Sequence, residues 1–429
     1  MTTASAHHPD APDAGHTGDR LPTGFPARFR AGERRNIRLG RGLRLVARVD
    51  RLDEDLMARI GRGFTERDEL GARLADAIRL RAEQPGKVTM RQFRTALEQG
   101  VAAVPDAPPA LRDFFAEVET VPDWVDQERV ERGTAAFRRL GRNASDVLLQ
   151  LSLIGGYRFG GPTDLLIRTD GLSGPATVRR LAETQKWGTS LRSAAALRPH
   201  GEAWRLTVHV RLMHALVNAQ YESEWDIEHW GLPINQTDLA STLGLFDGVP
   251  LLGCRALGVR ITRSESADYM HLWRYVGHLL GVHPDFLVER ERDRHVLNYH
   301  VLRAQGELTE AGPQLARAVV KAQREREWHG WPAVLKPLRG RYEQERLLSM
   351  LTVFLGPRSM REFGLPVRPP WALGYLVPLN LLRYQVAGRT AVGRRMLDAW
   401  GERNARSVLA SYFKGDEEGV GQLPVGHPV

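Results

Sequence analysis

The chain has 429 residues, 42% of them hydrophobic and 26% charged, a balance that builds an apolar core and excludes wholesale disorder. A formal charge of +9 and a pI near 10.0 ordinarily point to nucleic acid or an anionic membrane. Only five of the 60 basic residues are lysine (Lys87, Lys186, Lys321, Lys336, Lys414), a bias that GC-rich coding produces unaided, so nucleic-acid binding is not the expectation. Cys254 is the single cysteine, which excludes an intrachain disulfide, a cysteine-based zinc site and an iron–sulfur cluster.

Residues 1–24 are rich in Pro, Gly, Asp, Thr and His with few large apolar side chains, and residues 415–429 read the same way; both are expected to be disordered tails. The N-terminus shows no signal-peptide pattern, and no apolar run approaches the length of a membrane span. A cytoplasmic location is the expectation that follows. The segment from Phe25 to Arg51 carries nine arginines and reads as a solvated arm packed on an acidic part of the same protein, with phosphate or lipid headgroups as the functional alternative. It opens a unit spanning 25–120 that continues in helical patterns at 52–62, 65–83, 89–103 and 107–119.

Further helices are predicted at 126–140 and 143–155. The second is apolar nearly all round, as a core helix is, with Gly155 and Gly156 as its stop. Ser173-Gly174-Pro175 sets a cap and an N1 proline for a helix to about Leu197. Helices follow from Ala203 to Glu222, from Asn235 to a stop at Gly244, and from a Thr262/Glu265 capping box to Gly281 before Pro284. Patterns at 308–328, 343–355 and 390–413 complete the chain. Strand signal is almost absent, so the fold class is all-α, with a main domain at 121–389 and a C-terminal helix at 390–414.

Motifs for other chemistries are missing: there is no Walker A sequence, no HExxH and no pair of Glu-x-x-His motifs. Seven of the fourteen histidines lie between positions 200 and 283. On the Ala203–Glu222 helix, Val210, Val217, Asn218 and Tyr221 share a face with His214, which therefore projects into a weakly polar space where one ring nitrogen can bind a metal. His209 points about 140° away, so this helix does not chelate with two histidines. On the helix beginning at Pro175, Arg180 and Thr184 lie one above the other on a face continued by Trp187 and Leu191. A guanidinium and a hydroxyl there need partners. A haem propionate, bound oxygen or a protein carboxylate would each serve, and an internal ion pair is the plainer reading. His271 and His278 share a face with Arg274 and read as interior histidines that hold up a neighbouring site.

The runs RRLAETQKWG, RLMHALVN, GLPINQTDLA and HLWRYVGHLLGV, in this order between Val121 and Val386, resemble the catalytic domain of the rubber oxygenases, the latex-clearing and MpaB-type proteins. The resemblance implies one b-type haem in a helical, globin-like core. His214 becomes the axial iron ligand, Arg180 and Thr184 stand beside the haem, and His271 and His278 support it, with O₂ as co-substrate. The implied reaction is oxidative cleavage of a C=C bond in an apolar isoprenoid or unsaturated lipid. Hydroxylation or peroxidase-like oxidation on the same fold is an alternative, as is a basic scaffold for nucleic acid or anionic membrane. Glu183 stands where similar latex-clearing proteins have a lysine able to occupy the iron's distal side, so that role is lost here. Glu183 and Asp164 are the local candidates for a catalytic base. The segment Pro369 to Arg389 reads either as core ending in a surface helix or as an interfacial element that makes peripheral membrane contact.

Overall fold

The computed structural model describes residues 24–169 and 175–412, and among them there are only helices and turns. The arginine-rich start forms two short helices, α1 (Glu33–Leu39) and α2 (Arg41–Ala47), followed by α3 (Glu54–Gly63), α4 (Glu69–Arg79), α5 (Met90–Gln99) and α6 (Pro109–Glu119). The main part continues with α7 (Gln127–Leu140), α8 (Arg142–Val147), α9 (Pro162–Arg168), α10 (Pro175–Ser190), α11 (Glu202–Tyr221) and the single turn α12 (Ile227–Trp230). Then come α13 (Gln236–Phe246), α14 (Gly248–Ala256), α15 (Arg263–Leu279), α16 (Glu291–Ala304) and α17 (Ala311–Ala322). The chain closes with α18 (Lys336–Glu362), α19 (Trp371–Asn380) and α20 (Ala391–Ala410). The all-α expectation is borne out.

Local signals set several of these ends. Thr262 Oγ1 accepts from the Glu265 amide while Glu265 reaches back to the Thr262 N–H, the reciprocal capping box expected for α15. Asn235 accepts from the Asp238 amide and starts α13. The expected stops at Gly155/Gly156 and Gly244 are corrected. The 143–155 pattern is α8 running into a π-helical stretch, Leu148–Ile154, and the helix passes through both glycines. Gly244 lies inside α13, where a Cβ would overlap Asn298 Oδ1, so it serves close packing. The Ser173–Gly174 cap lies outside the described residues.

The arginine arm is integral to the fold. Arg28 is 1% exposed and ion-paired with Asp238 at 2.5 Å, and Arg35 reaches Glu362 at 2.9 Å. The reading as an arm on acidic parts of the same protein fits these pairs, but Arg28 goes into the interior. The principal core draws on residues from Phe29 to Leu397, with α15 nearly engulfed by its neighbours. Gly133 on α7 lets the two helices touch, since a Cβ there would overlap the Asp268 carbonyl. A second core gathers α17, α18 and Tyr157. Helix α10 belongs to both cores. Leu181 and Ala182 lie in the second, and Trp187 and Leu191 in the first.

Candidate functional site

Helix α11 buries Ala203, Trp204, Thr207, Val208, Arg211, Leu212, Ala215 and Asn218. Arg211 fixes its height: the guanidinium donates to Asp68 at 2.6 and 2.7 Å and to Glu117 at 2.7 Å. Asn218 fixes the following segment by exchanging two 2.7 Å bonds with the backbone of Ile234. On the face between these anchors, Val210, His214, Val217 and Tyr221 are all only half-buried. The expected weakly polar row around His214 is therefore present, with Asn218 turned into the interior.

His214 has the properties of a neutral donor. Its Nδ1 is buried and has no hydrogen-bond partner. Burial, and after it the positive charge of Arg180, push the imidazole down to about 4, against a smaller opposing pull from Asp68. Near neutral pH the ring is uncharged and keeps a lone pair available to a metal.

Helix α10 approaches α11 in antiparallel register. Trp187 Nε1 donates to Thr207 Oγ1 at 2.9 Å, Glu183 acts electrostatically on His209, and Arg180 acts on His214. As the numbers fall on one helix they rise on the other. Arg180 thus lies within electrostatic reach of His214, and Thr184 lies one turn from Arg180. The expected continuous face is corrected in one respect: Trp187 and Leu191 are buried, whereas Arg180 and Thr184 are exposed. The reason is that the two halves of α10 rest on different cores.

Glu183 pairs with Arg179 at 3.1 Å. Asp164 is a capping carboxylate whose Oδ2 accepts from the Gly161 amide at 2.9 Å, Thr309 Oγ1 at 3.0 Å and Thr163 Oγ1 at 3.2 Å. His271 and His278 flank Trp124, with ring centroids 5.9 and 6.2 Å away, and Arg274 lies over the same indole at 4.1 Å. His271 Nε2 accepts the Asp126 amide at the start of α7. Neither imidazole is hydrogen-bonded to His214, Arg180 or Thr184 among the described residues. Sequence reasoning missed Tyr157, whose buried hydroxyl has no partner. Burial pushes that phenol up, and Arg180 counteracts it. Nothing in the GGYRFGG run signals this placement. Among the described residues no three His, Cys, Asp or Glu side chains are grouped to hold a metal ion.

Residues 169–388, more than half of the chain, match the family model described as "ER-bound oxygenase mpaB/B'/Rubber oxygenase, catalytic domain". The chain belongs to this family. The matched range contains α10, α11 and α15, and so every residue assigned from the resemblance except Asp164. A rubber oxygenase of Streptomyces sp. (strain K30) is 24% identical over 189 residues, 42% of this chain and 45% of that protein. The alignment thus spans less than half the length of this relative. The solved structure described as latex clearing protein LCP in the closed state superposes with a TM-score of 0.58 at 18% identity, covering 80% of this chain and 91% of that one. At that identity the likeness is one of fold, and it extends the shared architecture well beyond the matched domain.

Proposed function

We propose that this protein is a haem-b-dependent oxygenase that cleaves a C=C bond of an apolar isoprenoid or unsaturated lipid-like substrate, with His214 as the residue that would hold the iron. The observation that carries this reading is the neutral, half-buried imidazole of His214, with a buried, unpartnered Nδ1 and a guanidinium within electrostatic reach. A histidine that stays uncharged and lacks a protein partner fits a metal-bound ring. When bound, the haem supplies the O₂ activation that no side chain here provides.

The remaining work falls to the chain. Arg180 places a fixed positive charge beside the site, suited to a propionate or to negative charge developing on oxygen. Thr184 adds a hydroxyl one turn away on α10. Glu183 is held by Arg179 and lies toward His209, and it stands where similar latex-clearing proteins have a lysine. Asp164, engaged by three donors on one oxygen, serves the start of α9, which leaves Glu183 as the stronger candidate for a base.

The test is optical. Protein expressed with haem supply should show a Soret band, and His214→Ala should lose it. Arg180→Ala and Thr184→Ala should keep the band and lose turnover. A colourless wild-type protein that takes up no haem would overturn the proposal. Labelled O₂ then separates cleavage from hydroxylation, since cleavage puts oxygen from one molecule on both product ends.

A further inference from the structure

From Phe363 to Leu397 the chain has five arginines and no aspartate or glutamate. Within it, Trp371, Tyr375, Pro378 and Leu382 recur at helical spacing and are all exposed, while Ala372, Leu376, Asn380 and Tyr384 form the buried opposite row. The buried row is clamped. Asn380 donates to Asn143 Oδ1 at 2.8 Å and to the Leu257 carbonyl at 2.9 Å, and Tyr384 donates to the Arg139 carbonyl at 2.5 Å. The outer row is therefore a rigid feature of the fold. Farther along, Leu382, Val386, Val392 and Met396 are 61, 62, 65 and 67% exposed, a density of large apolar side chains that marks an interaction surface.

Aromatic groups border one end of this surface. Trp371 stacks on Tyr375 with centroids 6.2 Å apart and meets Tyr342 at 5.7 Å. At the other end Arg389, Arg394 and Arg395 are exposed, and none is ion-paired with a carboxylate among the described residues. Beside them lies a cavity of about 420 Å³ lined by Arg260 and Arg394, whose carboxylates Glu265 and Asp268 are already engaged by Arg139 and Arg132. Apolar side chains with aromatics at one end and arginines without a carboxylate ion pair at the other match a lipid interface that carries negative charge. No helix among the described residues is long and apolar enough to cross a membrane.

We propose that the face built by Trp371, Tyr375, Leu382, Val386, Val392 and Met396 docks the protein peripherally on an anionic lipid bilayer. The inference is independent of the haem assignment and is tested without activity. The full chain is sedimented with vesicles of phosphatidylcholine, with and without roughly a third phosphatidylglycerol. Wild-type protein is expected to bind the anionic vesicles and to be released by salt. Leu382→Glu/Val386→Glu and, independently, Val392→Glu/Met396→Glu should each weaken binding at least about tenfold. Arg389→Ser/Arg395→Ser should weaken it about tenfold on anionic vesicles only. Failure to bind, equal binding to neutral vesicles, or unchanged binding in both glutamate pairs would overturn the proposal. So would a wild-type dimer that the glutamate pairs convert to monomer, which would assign the face to a second copy.

Discussion

Replacing Arg211 by methionine isolates what holds α11, and with it His214, in place. The Arg211 side chain is 3% exposed, Asp68 is 14% exposed, and the more open Glu117 is 36% exposed. Asp68 accepts two charge-assisted bonds from the guanidinium, so in Arg211→Met it is left as a largely covered carboxylate with its main partner gone. Gly281, with φ +76°, lies so close that a Cβ there would be 2.6 Å from Arg211 Nε and 2.7 Å from Asp68. Breaking one side of such a pair costs about 3–5 kcal/mol. With an unfolding entropy of roughly 2.1 cal/mol/K per residue, a chain of this length should lose about 3–6 °C in Tm. The internal control is Arg73→Met, whose pair with Asp113 is 3.2 Å long and more than half exposed on both sides, and which should cost under about 1 kcal/mol. Thermal and urea unfolding followed by far-ultraviolet circular dichroism measure both. Adding Asp68→Asn to Arg211→Met should recover part of the loss, because the orphaned charge is removed. If Arg211→Met proves no more damaging than Arg73→Met, α11 is held by apolar packing alone and the argument for a built ion-pair anchor fails.

The pH dependence of the haem-free protein follows from His214. Its folded value near 4 lies below the unfolded value of about 6.5, so between these pH values the unfolded chain binds the extra proton. Stability should rise by about 3 kcal/mol from pH 4 to 6.5 through this group and level off above. A flat stability profile in His214-dependent comparisons, with His214→Ala as the reference, would contradict it. Arg180→Ala should move the His214 titration upward when followed by NMR, and an unmoved resonance would mean that α10 and α11 do not hold the described register. Gly244→Ala, which sets a methyl group against Asn298, should cost about 1–3 kcal/mol in thermal unfolding; an unchanged Tm would show that α13 and α16 have slack. Thr262→Ala removes the capping box of α15 and should cost about 1 kcal/mol, with Thr262→Asp largely restoring it.

What the sequence revealed depended on whether the signal was local. Thr262 with Glu265, Asn235 with Asp238 and Gly281 ahead of Pro284 act within a few residues, so the ends of α13 and α15 were legible apart from the glycine misread as a stop. Gly155, Gly156 and Gly244 show why that rule is not sufficient. A helical glycine also serves a neighbour that passes close by, as Gly244 does beside Asn298, and only the neighbour distinguishes the two uses. Helix α16 was overlooked because its buried side includes Arg294, His295, His300 and Arg303, which erase the apolar period; Arg294 spends its charge on Asp247 at 2.7 Å. At the site, the direction of His214 followed from helical geometry. Its pairing with Arg180 did not, since the register of two helices joined by a loop is set by contacts such as Trp187 to Thr207 that no spacing encodes. The family resemblance supplied that pairing.

Because α10 rests its first half on one core and its second half on the other, its two ends report on different parts of the molecule. A probe at Arg179, exposed and near the second core, and one at Ser190, near the first, would read relative displacement of the two cores across a single helix. Any displacement of one core against the other on ligand binding would then be read at those two points, a measurement that needs no substrate to be known in advance.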